Sequence, residues 1–396
     1  MSKILLIILI GFFSFNTNAQ EESKSGQKVK PTVIPHGRIV YDFEFHKIEN
    51  GISPGMDYTF NGQQFRTVRM GLKGNISQNI KYKIELDFKG GELIYRDMYV
   101  KFTNVPYLGG DIFVGSYVEA TGLSMKTSGK FTTFFERSML TNTQNNRWNT
   151  GIHYSNFGLL NGIVGLQLSY AFNGRHTSGF TDTNLSNGRH IVARLTSPLF
   201  QNKDKKQLFH IGVNYENRRR TENPSNYKLK FRPENNMGLK ITIPFENLKT
   251  QNDIGFELAG RFGPLSLQAE YEISEYTTIE KNINVVGYYA AVTYFITGEH
   301  RGYINGAFLR IKPYNNVNLK EGNFGALELV ARYSVIDYSD VILTGDSDRV
   351  DNVTIGFNWY LNSHARLMYN YVIADFNKKE ENDKLQSNLV RMQVDF

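Results

Sequence analysis

Leu389-Val390-Arg391-Met392-Gln393-Val394-Asp395-Phe396 closes the chain, and its side chains alternate without a break. Val390, Met392, Val394 and Phe396 share one face, while Leu389, Arg391, Gln393 and Asp395 share the other. A strand turns successive side chains to opposite faces, so this repeat suits a wall with hydrocarbon outside and water inside, crossed in about 9–11 residues. It predicts the last strand of a transmembrane β-barrel. The terminal aromatic, Phe396, is the expected handle for the barrel-assembly machinery.

Working back from that end, the same period recurs. Ile39, Tyr41, Phe43 and Phe45 are expected outside with Asp42 and Glu44 inside; Tyr82, Ile84, Leu86 and Phe88 oppose Lys81, Lys83, Glu85 and Asp87. Leu166 to Phe172, Phe209 to Tyr215, Leu265 to Tyr271 and Val286 to Tyr294 repeat it, and no stretch carries a sustained 3.6-residue stripe. Counting such segments gives about 18, an even number that leaves both chain ends in the periplasm. Asn75 to Asn79, Gly263-Pro264 and Asn362-Ser363-His364 then fall on the periplasmic side as short turns. Residues 49 to 63, 119 to 147, 173 to 188 and 376 to 388 fall outside as long loops. The connection 298 to 322 resists, being long yet periplasmic; it holds extra structure, or strands near it are miscounted.

The amino terminus supplies an address. Lys3, the apolar run Ile4 to Phe13 and Thr17-Asn18-Ala19 read as a secretory signal peptide over 1–19, cleaved before Gln20. A polar leader follows over 20–36, and one barrel domain over 37–396. A mean hydropathy of -0.39 would suit a soluble protein, but barrels hide from hydropathy because half of each strand is polar. The absence of cysteine excludes a disulfide framework and thiolate chemistry. The 23 Tyr and 28 Phe supply strand formers and interfacial rings. The histidines show no metal-ligand spacing, and no phosphate loop or dinucleotide fingerprint is present, so neither metal nor cofactor is expected. Gly51-Ile52-Ser53-Pro54-Gly55 matches a nucleophile-elbow pattern but lies in a turn-rich loop between strands, where Pro54 suits a turn. The chain reads as a non-enzyme whose partners are outer-membrane lipid, lipopolysaccharide and small anions, with nothing pointing to nucleic acid.

In Tyr227-Lys228-Leu229-Lys230-Phe231-Arg232-Pro233 the apolar residues are expected to face lipid, which aims Lys228, Lys230 and Arg232 into the lumen about 7 Å apart. Such a stair of cations can pass an anion from one to the next. Arg218 and Arg220 extend it toward the mouth, and Arg66 and Arg69 add cations on an early strand. Acidic side chains face the same lumen, among them Glu85, Asp87, Glu257, Glu270, Glu272 and Glu328. The loop from Glu119 to Arg147, with Lys126, Lys130, Glu136 and Arg137, is the candidate for an inward-folded constriction. Two classes of function follow: a passive pore, either anion-preferring or unselective, and a non-transport barrel for adhesion or envelope assembly.

Several stretches resemble the phosphate-selective porin O and P family. They are Phe65 to Gly74, Phe134-Phe135-Glu136-Arg137-Ser138, Thr297 to Arg301 with Tyr303, Gly325 to Ser334, and Asn358 to Asn362. The resemblance implies an outer-membrane channel of a Gram-negative bacterium, trimeric, with sixteen strands; two of the 18 segments are then loop excursions. It also implies a phosphate or oxyanion solute and a cationic ladder. Two departures weaken the cationic character expected of that family: Arg66 is followed by Thr67 rather than a second arginine, and Tyr117-Val118-Glu119-Ala120 lacks the usual Lys and Pro.

Overall fold

In a computed structural model, residues 30–49, 57–143, 148–172, 189–219, 225–341, 348–377 and 383–396 are described. They form a closed antiparallel barrel whose wall has 16 strands. The first nine are β1 (Ile34–Glu49), β2 (Tyr58–Asn75), β3 (Ile80–Asp87), β4 (Ile94–Phe102), β5 (Asp111–Val118), β6 (Trp148–Leu159), β7 (Val164–Phe172), β8 (Arg189–Asn202) and β9 (Gln207–Arg219). After the short strand β10 (Ser225–Phe231) come β11 (Ile241–Phe262), β12 (Leu265–Thr278) and β13 (Asn282–Phe295). A miniature hairpin, β14 (Tyr303–Ile304) and β15 (Ala307–Phe308), precedes β16 (Ala326–Asp337), β17 (Arg349–Tyr360), β18 (Ala365–Asn377) and β19 (Asp383–Asp395).

The closing strand behaves as its alternation requires. β19 pairs with β1, Val394 opposite Ile39 and Arg391 opposite Asp42, and Gly37 and Phe396 exchange backbone hydrogen bonds of 3.0 and 3.2 Å. Val390, Met392 and Val394 lie on the outer surface, while Leu389, Arg391, Gln393 and Asp395 are buried within. β1 begins at Ile34, slightly before the expected boundary at 37. Near the periplasmic rim Phe200, Phe209, Phe262 and Tyr294 project outward, the ring belt expected where hydrocarbon meets headgroups.

Two excursions account for the surplus segments. β10 does not cross the membrane: β9 pairs with β11 up to Arg219 opposite Thr250, and β10 continues along the same edge from Ser225 opposite Leu248 to Phe231 opposite Ile241. This places Leu229 and Phe231 away from lipid, correcting the outward assignment made from alternation. They are buried with Ile243, Phe245 and Leu248 against Tyr276, Ile283, Val285, Ile336, Val350 and Leu385, which project from the inner wall. The hairpin thus folds into the extracellular mouth and puts its apolar face on the barrel interior. Burial of each such side chain stabilises by about 1.5–3 kcal/mol, enough to hold the fold-in. The second excursion is 296–325, the long periplasmic connection, which does hold extra structure, the β14–β15 hairpin.

The wall is uneven. β3, β4 and β5 have 8, 9 and 8 residues, whereas β11 has 22. About 9–11 tilted residues are needed to cross the hydrocarbon, so the β3–β5 sector is the low side of the barrel. Ile84, Val100, Phe102 and Val114 project from its outer face.

Candidate functional site

The loop that follows β5 turns into the lumen. Gly122 has φ 140, and a side chain there would strike the Glu270 carboxylate at 2.4 Å, so only glycine suits this turn. A helical turn, Leu123–Lys126, and a second, Met139–Thr143, follow. Apolar residues grip apolar patches on the inner wall: Leu123 packs with Leu208, Ala259, Tyr303 and Phe308, and Phe135 with Val372 and Leu389. Polar contacts complete the attachment. Ser124 N donates to Glu270 (2.6 Å), Phe135 N to Asn370 (2.7 Å), Asn358 to the Thr133 carbonyl (2.7 Å) and Arg366 to the Thr132 carbonyl (2.7 Å). Between the loop and β12, β13 and β16 lies a small pocket of about 30 Å³.

Glu136 is its strongest anchor. It accepts from Arg66 at 3.1 and 3.2 Å, from Arg391 at 2.9 Å and from Asn236 at 2.8 Å. Burial alone would raise its pKa, but Arg66 and Arg391 outweigh that and hold it well below the usual carboxylate range. Arg137 does not pair with its neighbour; it donates to the Ser124 and Thr127 carbonyls, the latter at 2.8 Å. Asn236 and Glu234 come from the turn between β10 and β11. Glu234 is buried and accepts from Arg332 (3.0 Å), Ser334 (2.6 Å) and Thr354 (2.5 Å).

From the periplasmic side the β14–β15 hairpin meets this loop, Phe308 N donating to Thr127 Oγ1 at 3.3 Å. Its Gly306 carbonyl accepts from Arg194 at 2.8 Å, and Tyr303 Oη lies 2.6 Å from His210 Nδ1. Two segments entering from opposite ends therefore narrow the lumen at one level.

Between these segments and the inner faces of β1–β7 lies a chamber of about 610 Å³. Eight Lys or Arg side chains border it against three carboxylates, which makes it cationic. Arg69 pairs with Asp87 (3.0 Å) and Glu85 (2.9 Å), Lys83 with Asp97, and Lys101 with Asp111 (2.5 Å). The cations carried or touched by the loop are different. Lys126 donates to the Val118 carbonyl (3.2 Å), Lys130 to the Gly37 carbonyl (3.0 Å), and the buried Arg38 leaves Nε without a hydrogen-bond partner among the described residues. Burial pushes the Lys126 pKa down to about 8 and lowers that of Lys130. A carbonyl neutralises no charge, so an anion can still bind these groups.

Of the expected stair, Lys228 is exposed and Lys230 half-buried on the face of the hairpin opposite Leu229 and Phe231. Lys240 lies with them: burial lowers its pKa, and the positive charges of Lys230 and Arg232 add to the effect. Arg218 does face the interior, but between Glu216 and Glu119 (3.6 Å). Arg220 lies outside the described residues, as do the Gly51 to Gly55 motif and the segment 1–19 expected to be a signal peptide. Glu119, His190 and Glu216 carry ligand atoms within 4.8 Å of one another, a set with the chemistry for a metal ion. Arg218 already supplies positive charge to both carboxylates, and His190 Nδ1 sits 2.6 Å from Glu119. Alternation aimed Lys83 inward without assigning it to the anion path, and the chamber residues Arg38, Lys101 and Arg310 were not singled out from sequence; for Lys101 a cue was present in the alternation of Val100-Lys101-Phe102.

Comparison with known proteins matches residues 35–396 to the phosphate-selective porin O and P family. Porin O of Pseudomonas aeruginosa is 26% identical over 372 residues, covering 84% of this chain and 80% of that protein. Among solved structures, an anion-selective porin from Comamonas acidovorans superposes with a TM-score of 0.55 at 13% identity, covering 93% of this chain and 100% of that one. The trimer form of OmpT, an outer membrane protein of Vibrio cholerae, gives 0.55 at 14% identity, covering 92% and 99%.

Proposed function

The chain belongs to the phosphate-selective porin O and P family, channels of the Gram-negative outer membrane, and from that premise we propose that it lets small anions diffuse through the β1–β7 chamber. The observation that carries this reading is the convergence of Arg38, Lys126 and Lys130 on one chamber without carboxylate partners among the described residues. Field lines in a bore with low-dielectric walls are focused, so a few unpaired charges bias which ions enter. Phosphate or another oxyanion suits Lys126 and Lys130, which bind as point charges, while Arg38 offers a planar fork. The anion selectivity in the name of the Comamonas acidovorans porin agrees with this reading. Lys228, Lys230 and Lys240 act as an attracting patch rather than as the stair itself, while Arg232 donates to the Gly238 carbonyl at 3.3 Å in the turn that reaches Glu136.

The low β3–β5 sector, apolar on its outer face, is proposed to sit against a second copy in a homotrimer, the state named for OmpT. Lipid and lipopolysaccharide cover the remaining outer wall, and Phe396, already bound to Gly37 at the seam, is the proposed contact for the assembly machinery.

The test is the zero-current potential of purified protein in a planar bilayer across a potassium chloride gradient. The sign expected is that of chloride preference, reduced in Lys126→Gln/Lys130→Gln. Cation preference in the unaltered protein would reject the pathway.

A further inference from the structure

The chamber is not lined as a bare phosphate would require. Tyr99 and Phe113 meet edge-to-face at 5.1 Å on the β4–β5 wall, and Phe113 continues to His153 at 5.3 Å. Phe131 projects from the loop on the other side. All three rings are only partly buried, although they face a polar bore. Elsewhere the apolar side chains of the inner face are buried under the hairpin or the loop, as Tyr276, Ile283, Val285 and Leu389 are. Apolar rings kept at an aqueous surface forgo the stabilisation that burial gives, unless something apolar covers them during use.

Phe113 and Phe131 each have a cation beside them. Lys101 Nζ lies 4.8 Å from the Phe113 centroid, and the Arg310 guanidinium 5.0 Å from that of Phe131. Rings therefore border the chamber both on the β4–β5 wall and on the loop, and the charges free of carboxylates beside them are those of Lys126, Lys130 and Arg38. The volume, about 610 Å³, falls in the range of sites that enclose ring-bearing ligands and far exceeds the share of a few waters, about 30 Å³ each.

Resting on the reading of this chamber as an anion pathway, we propose that its preferred solutes are organic anions carrying a flat aromatic ring, such as aryl phosphates, rather than inorganic phosphate. The anionic group is held by Lys126, Lys130 and Arg38, and the ring lies against Phe113, Tyr99 and Phe131. Stacking on aromatic side chains tolerates any flat π-face, so the preference is for a class and not for one compound.

The experiment is block of chloride current through the full-length mature protein in planar bilayers by three probes: inorganic phosphate, methyl phosphate and phenyl phosphate. The two esters carry the same charge and differ in the ring. Half-block is expected at a phenyl phosphate concentration at least about tenfold below that of methyl phosphate, with inorganic phosphate close to the methyl ester. In Tyr99→Leu/Phe113→Leu the advantage of the phenyl ester should vanish while methyl phosphate block and open conductance stay as they were; unchanged conductance reports an intact barrel. Equal block by the two esters in a channel that still prefers anions overturns the ring site and leaves the pathway standing. A channel with no anion preference overturns the pathway and the ring site together. Persistence of the phenyl advantage in the double variant removes it from these two rings and refutes the assignment.

Discussion

The two halves of this lumen use the same kinds of charged residue to opposite ends. Along β8–β19 four inward arginines are spent on carboxylates: Arg194 on Glu257 (2.6 Å), Arg332 on Glu234, Arg391 on Asp42 (2.7 Å), Arg218 on Glu216. Above them the β10–β11 hairpin fills the mouth with apolar side chains. Along β1–β7 the lumen stays open, and the loop cations reach backbone carbonyls instead. The formal net charge of +7 is therefore a poor guide to selectivity. What decides it is which cations remain unneutralised beside open space, because a paired ion has little field left for a passing solute.

The sharpest way to break that contrast is to unpair a charge on the packed half. Glu234→Ala would leave Arg332 buried without its carboxylate and would release the turn from Ser334 and Thr354. Removing one partner of a buried ion pair costs about 3–5 kcal/mol. A marked fall in the thermal unfolding temperature of the detergent-solubilised protein is expected, with the zero-current potential little changed. A variant as stable as the parent would mean that the hairpin is not keyed in by Glu234.

Next in size is charge inversion on the open half. Lys126→Glu/Lys130→Glu changes the chamber by four unit charges. One unit at about 7 Å in water is worth about 0.6 kcal/mol, so the total exceeds about 2 kcal/mol, or more than about tenfold in the anion-to-cation permeability ratio. The zero-current potential should change sign while the unfolding temperature moves less than in Glu234→Ala. Retained anion preference would shift the pathway to other cations.

How far this contrast was legible follows from what a strand pattern records. The wall was readable because lipid enforces alternation at Ile39 to Phe45 and at Leu389 to Phe396, and that constraint is local. Segment 227–233 alternates just as well, yet its apolar face meets the barrel interior instead of hydrocarbon. Alternation distinguishes apolar from polar surroundings and not lipid from packed protein. A signal of the fold-in was nonetheless present: Leu385 and Leu389 occupy inward positions where a watery bore calls for polar residues, and they are landing points for the hairpin and for Phe135. The loop over 119–147 was placed inside the lumen on length and composition alone. Its partners Arg66, Asn236, Arg366 and Arg391 lie far apart in sequence, so no spacing rule could have joined them. The cationic chamber escaped for the same reason, since strands β1 to β5 converge with Arg310 only once the barrel has closed.

A smaller effect separates the two halves by pH. The Lys126 pKa is pushed down to about 8 by burial, so its charge is present below that value and lost as pH rises through it. Losing one unit charge should weaken anion preference roughly threefold across that window, by the same estimate of about 0.6 kcal/mol per unit. Lys126→Arg keeps its charge throughout and should flatten the profile. The Glu136 anchor responds in the opposite direction: its lowered pKa means the loop attachment is complete at neutral pH and is lost only as the solution becomes strongly acid. A conductance step at mildly acid pH would contradict this.

The smallest effect belongs to the mouth. Lys228 and Lys230 stand on the water-facing side of the hairpin, so they are proposed to act by attracting anions and not by binding them. Such attraction reaches about 30 Å at 0.01 M salt and about 3 Å at 1 M. Lys228→Gln/Lys230→Gln should therefore lower single-channel conductance by less than about twofold in dilute salt and leave it unaltered in concentrated salt. A loss that persists at 1 M would place these lysines at the narrowest point and restore the stair read from alternation. Loss confined to dilute salt keeps selection with Arg38, Lys126 and Lys130, where the lumen is open and the charges have no carboxylate to answer to.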